Sequence, residues 1–213
     1  DIMMDPAGGS TYTTTLLPNL ISGPAGIIGG ASPGGFWYYF PIYIPAGATL
    51  ACQASVNNGT VGTVACGVIA YADPVNPEAL WYGHKCEAIG AVTASSQGTA
   101  VNIGTTSDGT WTSLGSSTQA NSYWTGGATI NNGTITAMHY AMDLAADNNA
   151  TTPKYLMRDL SVMCTSLEQL SFNSIGPSIG MGSSSIASGT TIYGRGQASG
   201  TALTVTMIAY GVG

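Results

Sequence analysis

Between Phe36 and Ser55 the chain reads Phe-Trp-Tyr-Tyr-Phe-Pro-Ile-Tyr-Ile-Pro-Ala-Gly-Ala-Thr-Leu-Ala-Cys-Gln-Ala-Ser, and no other run constrains the fold as strongly. Its aromatic and β-branched first half predicts a strand, Pro45-Ala-Gly47 a corner, and the remainder a second strand with alternating faces. Leu50, Cys52, Ala54 and Val56 fall on one side of that second strand, with Thr49, Gln53 and Ser55 on the other.

A weaker copy of the run returns near the C-terminus. Ile44-Pro-Ala-Gly-Ala-Thr-Leu50 matches Ile186-Ala-Ser-Gly-Thr-Thr-Ile192, Gln53-Ala-Ser55 matches Gln197-Ala-Ser199, and Ile69-Ala-Tyr71 matches Ile208-Ala-Tyr210. Upstream, Asn19-Leu-Ile-Ser-Gly-Pro24 resembles Asn173-Ser-Ile-Gly-Pro177, so residues 1–71 map in order onto 159–210. Ordered self-similarity of this kind predicts a duplicated unit. The expected organisation is a first β-sandwich unit over 1–110 and a related second unit over 111–213, each with about eight short antiparallel strands as in a jelly roll. The first copy lacks a counterpart of 111–158. It is expected to be completed either by residues upstream of Asp1 or by another subunit.

Composition supports an all-β fold, an antiparallel β-sandwich. Hydrophobic residues make up 44 % of the chain and charged residues 7 %, with 30 glycines. A helical protein would show many Glu, Lys and Arg on its exposed faces. Short strands are expected on either side of the Gly8-Gly9 turn, over 61–71, within 80–90 and near Trp111. The two Asn-Asn-Gly-Thr runs at 57–60 and 131–134 predict hairpins, the second turning 128–130 back into 135–144. Residues 154–170 fit either period, and the repeat favours strand.

The four basic residues, Lys85, Lys154, Arg158 and Arg195, form no cluster, and the net charge is -6. Neutralising phosphates takes grouped cations, so neither nucleic acid nor an anionic membrane is an expected partner. No run approaches the ~18 apolar residues of a membrane-spanning helix, and a soluble chain is expected. Cys52, Cys66, Cys86 and Cys164 lie on apolar strand positions without a C-x-x-C spacing. They read as buried thiols acting as small hydrophobes. A Cys52–Cys66 bridge between neighbouring strands is the alternative.

Catalytic motifs are missing: there is no G-x-S-x-G elbow, no P-loop and no dinucleotide fingerprint. His84 and Cys86 beside Glu87 imitate a metal clip but lack a second ligand pair. The carboxylates Asp73, Glu78, Glu87, Asp143, Asp147, Asp159 and Glu168 read as solvated acids at strand ends and turns rather than as a glycosidase pair. No catalytic, cofactor-binding or metal residue is assigned, and no cofactor is expected. Asn58, Asn132 and Asn149 begin formal glycosylation sequons. The remaining candidates are aromatic: Trp37, Tyr39, Trp81, Tyr82, Trp111, Tyr123 and Trp124 could stack on a glycan or fill edges and subunit contacts.

The order Asp1-Ile2, Gly8-Gly-Ser10, Leu17-Pro-Asn-Leu20, Pro41-Ile-Tyr-Ile-Pro-Ala-Gly-Ala-Thr-Leu-Ala51 and Gln53-Ala-Ser55 resembles a β-rich virion protein type of tailed bacteriophages. Proteins of that type carry jelly-roll domains in head decoration, collar or tail structures. Where the type has a basic residue after Ala-Gly-x-x, the first copy here has none and the second has Arg195. The resemblance implies a non-enzymatic virion structural protein that decorates or cements the capsid. It would be assembled in the host cytoplasm and sit on the outer surface of the particle. Its partners would be copies of itself, as a trimer, and other virion proteins. A tail, fibre or collar protein that binds host carbohydrate is the alternative.

Overall fold

A computed structural model of the chain describes residues 1–21, 38–55, 66–71, 83–91, 93, 96, 98–130, 138–147, 154–164, 185–200 and 204–213, without the side chains of 130, 138 and 162–164. Among the described residues every regular element is a strand, in the order β1 (Ile2–Asp5), β2 (Thr14–Leu17), β3 (Thr49–Cys52), β4 (Cys86–Ile89), β5 (Thr99–Val101), β6 (Ile103–Gly104), β7 (Thr112–Ser116), β8 (Tyr123–Ile130), β9 (Met138–Asp147), β10 (Lys154–Cys164), β11 (Thr191–Ala198) and β12 (Val205–Val212). The all-β class is as expected. All ladders are antiparallel except the short β6–β11 pair.

Two sheets face each other across the main core. One is built on β11, with β9 along one edge and β7 then β6 along the other, and β10 outside β9. The other is built on β12, with β8 along one edge and β4 and β5 sharing the other. Val205, Met207 and Ala209 of β12 point into the gap and meet Tyr140, Met142, Leu144 and Ala146 of β9 and Ile192 and Ala198 of β11. The chain changes sheets at Asn102, between β5 and β6. There the Asn102 carbonyl accepts the Gly196 amide at 3.1 Å, and its side-chain amide donates to Thr110 Oγ1 at 2.8 Å.

A third layer covers the outer face of the β12 sheet. It consists of the small sheet β2-β1-β3 and the segment 38–45. Ile208, Tyr210 and Val212 therefore pack against Ile21, Tyr38, Phe40 and Ile42, and β12 is buried along its whole length. A strand covered on both faces reads as a near-continuous apolar run, as Val-Thr-Met-Ile-Ala-Tyr-Gly-Val does. Its Thr206 hydroxyl is matched across the ladder by Thr129 at 2.9 Å. Tyr210 also stitches the layers together, donating its hydroxyl to the Asn19 carbonyl at 2.9 Å and accepting the Ile21 amide at 3.1 Å. Tyr38 adds a bond to the Ile21 carbonyl at 2.9 Å. Burial pushes the Tyr38 and Tyr210 hydroxyls well above the ordinary tyrosine value.

Several expectations are met. β1 and β2 form the predicted N-terminal hairpin. The corner after Ile44 is a turn closed by Ala48 N to Pro45 O at 3.2 Å, with Gly47 at φ +82°. Its counterpart after Ile186 closes from Thr190 N to Ala187 O at 3.3 Å, with Gly189 at φ +83°. The ambiguous run from Lys154 is strand as far as Cys164.

Others are corrected. Among the described residues Tyr38–Ile44 joins no ladder and makes one isolated bridge, Ile42 to Gly83; Pro41 and Pro45 bring no amide donors to an otherwise strand-like run. β8 and β9 are not a hairpin: β8 pairs with β12 and β9 with β10 and β11, so the chain between them passes from one sheet to the other. An Asn-Gly signal marks a reversal without saying which strand will be the neighbour. Ladders also run across position 110/111, with β4, β5 and β6 from the first half pairing with β12 and β11 from the second. The hairpin expected at 57–60 lies outside the described residues.

Candidate functional site

Two surface features stand out, one on each side of the molecule's layering. The first is on the outer face of the β11 sheet. Alternation along β11 buries Ile192, Gly194, Gly196 and Ala198 and turns Thr191, Tyr193, Arg195 and Gln197 outward. Register sets Arg195 opposite Asp143 of β9, and the two form an ion pair at 2.9 Å. An irregularity in β10 between Met157 and Leu160 brings Asp159, at φ +51°, over the same carboxylate, and its amide donates to Asp143 Oδ1 at 2.8 Å. Asp143 is thereby only 2 % exposed, with both oxygens engaged.

The Arg195 guanidinium also reaches Asp108 at 2.5 Å and the Tyr155 hydroxyl at 2.8 Å, and it lies 4.2 Å from the ring centre of Trp111. Trp111 and Tyr155 meet edge to face at 5.7 Å, and Arg158 sits 5.2 Å from the Tyr155 ring. Cations over aromatic faces contribute about 0.5–2 kcal/mol each depending on exposure. The exposed Arg158–Asp159 pair, at 3.4 Å, adds little. The patch thus gathers two aromatic rings, two guanidinium groups and three carboxylates.

The second feature is the strip Cys66–Tyr71, exposed at every residue. Val68, Ile69 and Tyr71 show 50, 61 and 74 % of their surface to solvent. The strip runs beside β3, and Cys66 and Val68 line a cleft of about 250 Å³ with Ile2, Leu50, Ala51 and Cys52. Fully burying side chains of this kind is worth roughly 1.5–3 kcal/mol each, so the strip carries an unused association energy.

The expected aromatic candidates scatter. Trp111 is in the outer patch. Trp124 and Tyr123 are core residues and cannot present a face to a ligand: Trp124 is 2 % exposed between the two sheets, and Tyr123 donates to the Tyr39 carbonyl at 3.1 Å. Tyr39 packs edge to face on Tyr123 at 6.2 Å, joining the third layer to the β12 sheet. Trp37, Trp81 and Tyr82, like Asn58, Asn132 and Asn149, lie outside the described residues. Tyr155 is not among the sequence candidates, and residues 66–71, the described part of the strand expected over 61–71, form no strand. The strip's match to Ile208–Tyr210 was the available signal.

The carboxylates also need correction. Glu87 and Asp143 are not solvated turn acids but lie within β4 and β9, buried. Glu87 Oε2 accepts the Thr118 amide at 2.8 Å and hydroxyl at 2.6 Å, and Oε1 accepts the Asn121 amide. The two acids belong to different sheets. Asp143 and Asp108 do share a site, but there Arg195 pairs with both. His84 is exposed and packs on the edge of Tyr43, whereas Cys86 is buried. Burial raises the Cys86 thiol above its usual value. Among the described residues no group of three or more His, Cys, Asp or Glu could hold a metal ion. The reading of the cysteines as buried hydrophobes holds for Cys86 and fails for Cys52 and Cys66, which are exposed free thiols.

No family model, no curated protein and no solved structure matches the chain.

Proposed function

We propose that this chain is a non-enzymatic structural protein of a bacteriophage particle, a capsid decoration or cement protein that works as a multimer of itself. The observation that carries the reading is the strip Val68-Ile69-Ala70-Tyr71. Its sequence counterpart in β12 is a fully buried central strand, whereas the strip itself leaves three large apolar side chains in solvent. Apolar surface of that kind is ordinarily covered by a neighbour. The low charge of the chain fits a surface buried against copies of itself, and the ordered resemblance to phage virion proteins supplies the setting. A trimer on the outer surface of the particle is the expected arrangement.

Sedimentation of the purified chain tests the multimer, and imaging of particles tests the location. The wild type should sediment as a trimer, and Ile69→Lys with Tyr71→Lys should release monomers that remain folded, with a Tm that no longer depends on protein concentration. A wild-type chain that stays monomeric and fails to join capsid or tail components would overturn the proposal.

One observation favours a second reading, a tail or collar component that binds host carbohydrate. Trp111 and Tyr155 share an outer face with the partly open Asp108 carboxylate, the mix of ring and acceptor that sugars use. Arg195 already covers one face of Trp111, so a sugar would stack on the other. A glycan array that binds the wild type and loses binding with Trp111→Ala would favour this reading over the first.

A further inference from the structure

Three facts meet at the edge of the small sheet. Cys52 ends β3, which among the described residues is paired only to β1. Cys66 begins the exposed strip, and both sulfur-bearing residues line the same cleft and are solvent-exposed free thiols. The geometry points to Cys52 and Cys66 as an intrachain disulfide site, closed when the protein passes from a reducing to an oxidising medium, that pins the 66–71 strip to β3.

The surroundings agree. The Cys66 thiol is held above its usual value by partial burial and then by the neighbouring Cys52. Cys86 is buried in a different cluster and is not a competitor.

The oxidant is a small-molecule disulfide such as oxidised glutathione. The thiolate of one cysteine attacks it, releasing one small thiol and leaving a mixed disulfide. The second cysteine, losing its proton to solvent, attacks the protein sulfur and expels the second small thiol. Two protein thiols lose two electrons and one small disulfide gains them. A cross-link across a short loop restricts the unfolded chain, so the oxidised form should melt higher by on the order of 5–10 °C.

The test uses the full chain with oxidised glutathione, followed by denaturation, alkylation and intact mass. The expected result is a fall from four alkylated thiols to two, a peptide linking Cys52 to Cys66, a monomeric band without reductant, and a rise in Tm reversed by dithiothreitol. Cys52→Ser and Cys66→Ser should each lose the rise and the cross-linked peptide, the remaining cysteine of the pair staying alkylatable or holding a single glutathione that no second thiol displaces. Four alkylated thiols, a glutathione retained on each cysteine, or a disulfide-linked dimer would each overturn it. The comparison of oxidised and reduced wild type needs no variant to fold. The inference stands apart from the proposed self-association, since an intrachain link can form in a monomer.

Discussion

Ile69-Ala-Tyr71 and Ile208-Ala-Tyr210 carry the same three residues and live in opposite environments. In β12, Ile208 and Tyr210 are wholly excluded from solvent, held between two sheets and a third layer. In the 66–71 strip the same residue types face water. The difference teaches that an apolar triplet specifies burial only when ladder partners exist on both sides, as β8 and the β4–β5 pair provide for β12. The turns that precede the two copies are by contrast alike in hydrogen bond and in φ, so local geometry repeats where tertiary surroundings do not.

The sharpest way to break this contrast is to truncate both tyrosines. Tyr210→Ala should cost about 3–5 kcal/mol in a denaturant titration, as large aromatic deletions in cores do, and Tyr71→Ala close to nothing in the monomer. A cost above ~1 kcal/mol at Tyr71 would mean the strip is packed after all. The buried hydroxyls also set a sign for alkaline pH. Tyr38 and Tyr210 have folded values raised above the 10.0 of an unfolded tyrosine. The unfolded chain therefore releases these protons first, and stability present below pH 10 should decline above it. Tyr38→Phe should make the alkaline decline measurably shallower.

Next in size, Arg195→Ala leaves the buried Asp143 carboxylate without its cation and should cost about 3 kcal/mol. Adding Asp143→Ala should recover much of that loss, and a double-mutant cycle showing no coupling would remove the ion pair as the anchor of the outer face. Smallest among the measurable effects, Gly47→Ala and Gly189→Ala meet open space but force a side chain to positive φ, for about 1 kcal/mol each. Equal losses would support equivalent turns, and a difference beyond about 1 kcal/mol would separate them.

Much of this was legible in residue order. Low charge with abundant glycine reported the all-β class, and the Pro-Ala-Gly and Ala-Ser-Gly corners reported two turns that the structure repeats. Neighbour choice was not legible. The Asn131–Thr134 signal predicts a reversal, but whether β9 returns to β8 or crosses to β11 depends on which sheet is left with an open edge. The outer patch was hidden for the same reason. Arg195, Asp143 and Asp108 are far apart in sequence, and only register sets them together. Trp124 and Tyr123 look like surface aromatics in a polar stretch, yet Trp124 points into the core between the two main sheets, and on the other face Gly127 lets Ile21 and Tyr38 of the third layer press onto β8 beside Tyr123. The Trp124 indole nitrogen has no hydrogen-bond partner among the described residues, a mark of how far packing overrode its polar atom.

The double burial of β12 has a kinetic side. This strand is the last of the twelve to be synthesised, yet one sheet is assembled on it and both cores lean on it. Its ladders reach back to Cys86 and Tyr123, pairings that require long loops to close first. Until the ribosome has delivered residues 205–212, β8, β4 and β5 wait with open edges, and the opposing sheet waits with a bare inner face. Folding is then slow and late rather than progressive along the nascent chain, and the waiting edges are the species most exposed to wrong partners.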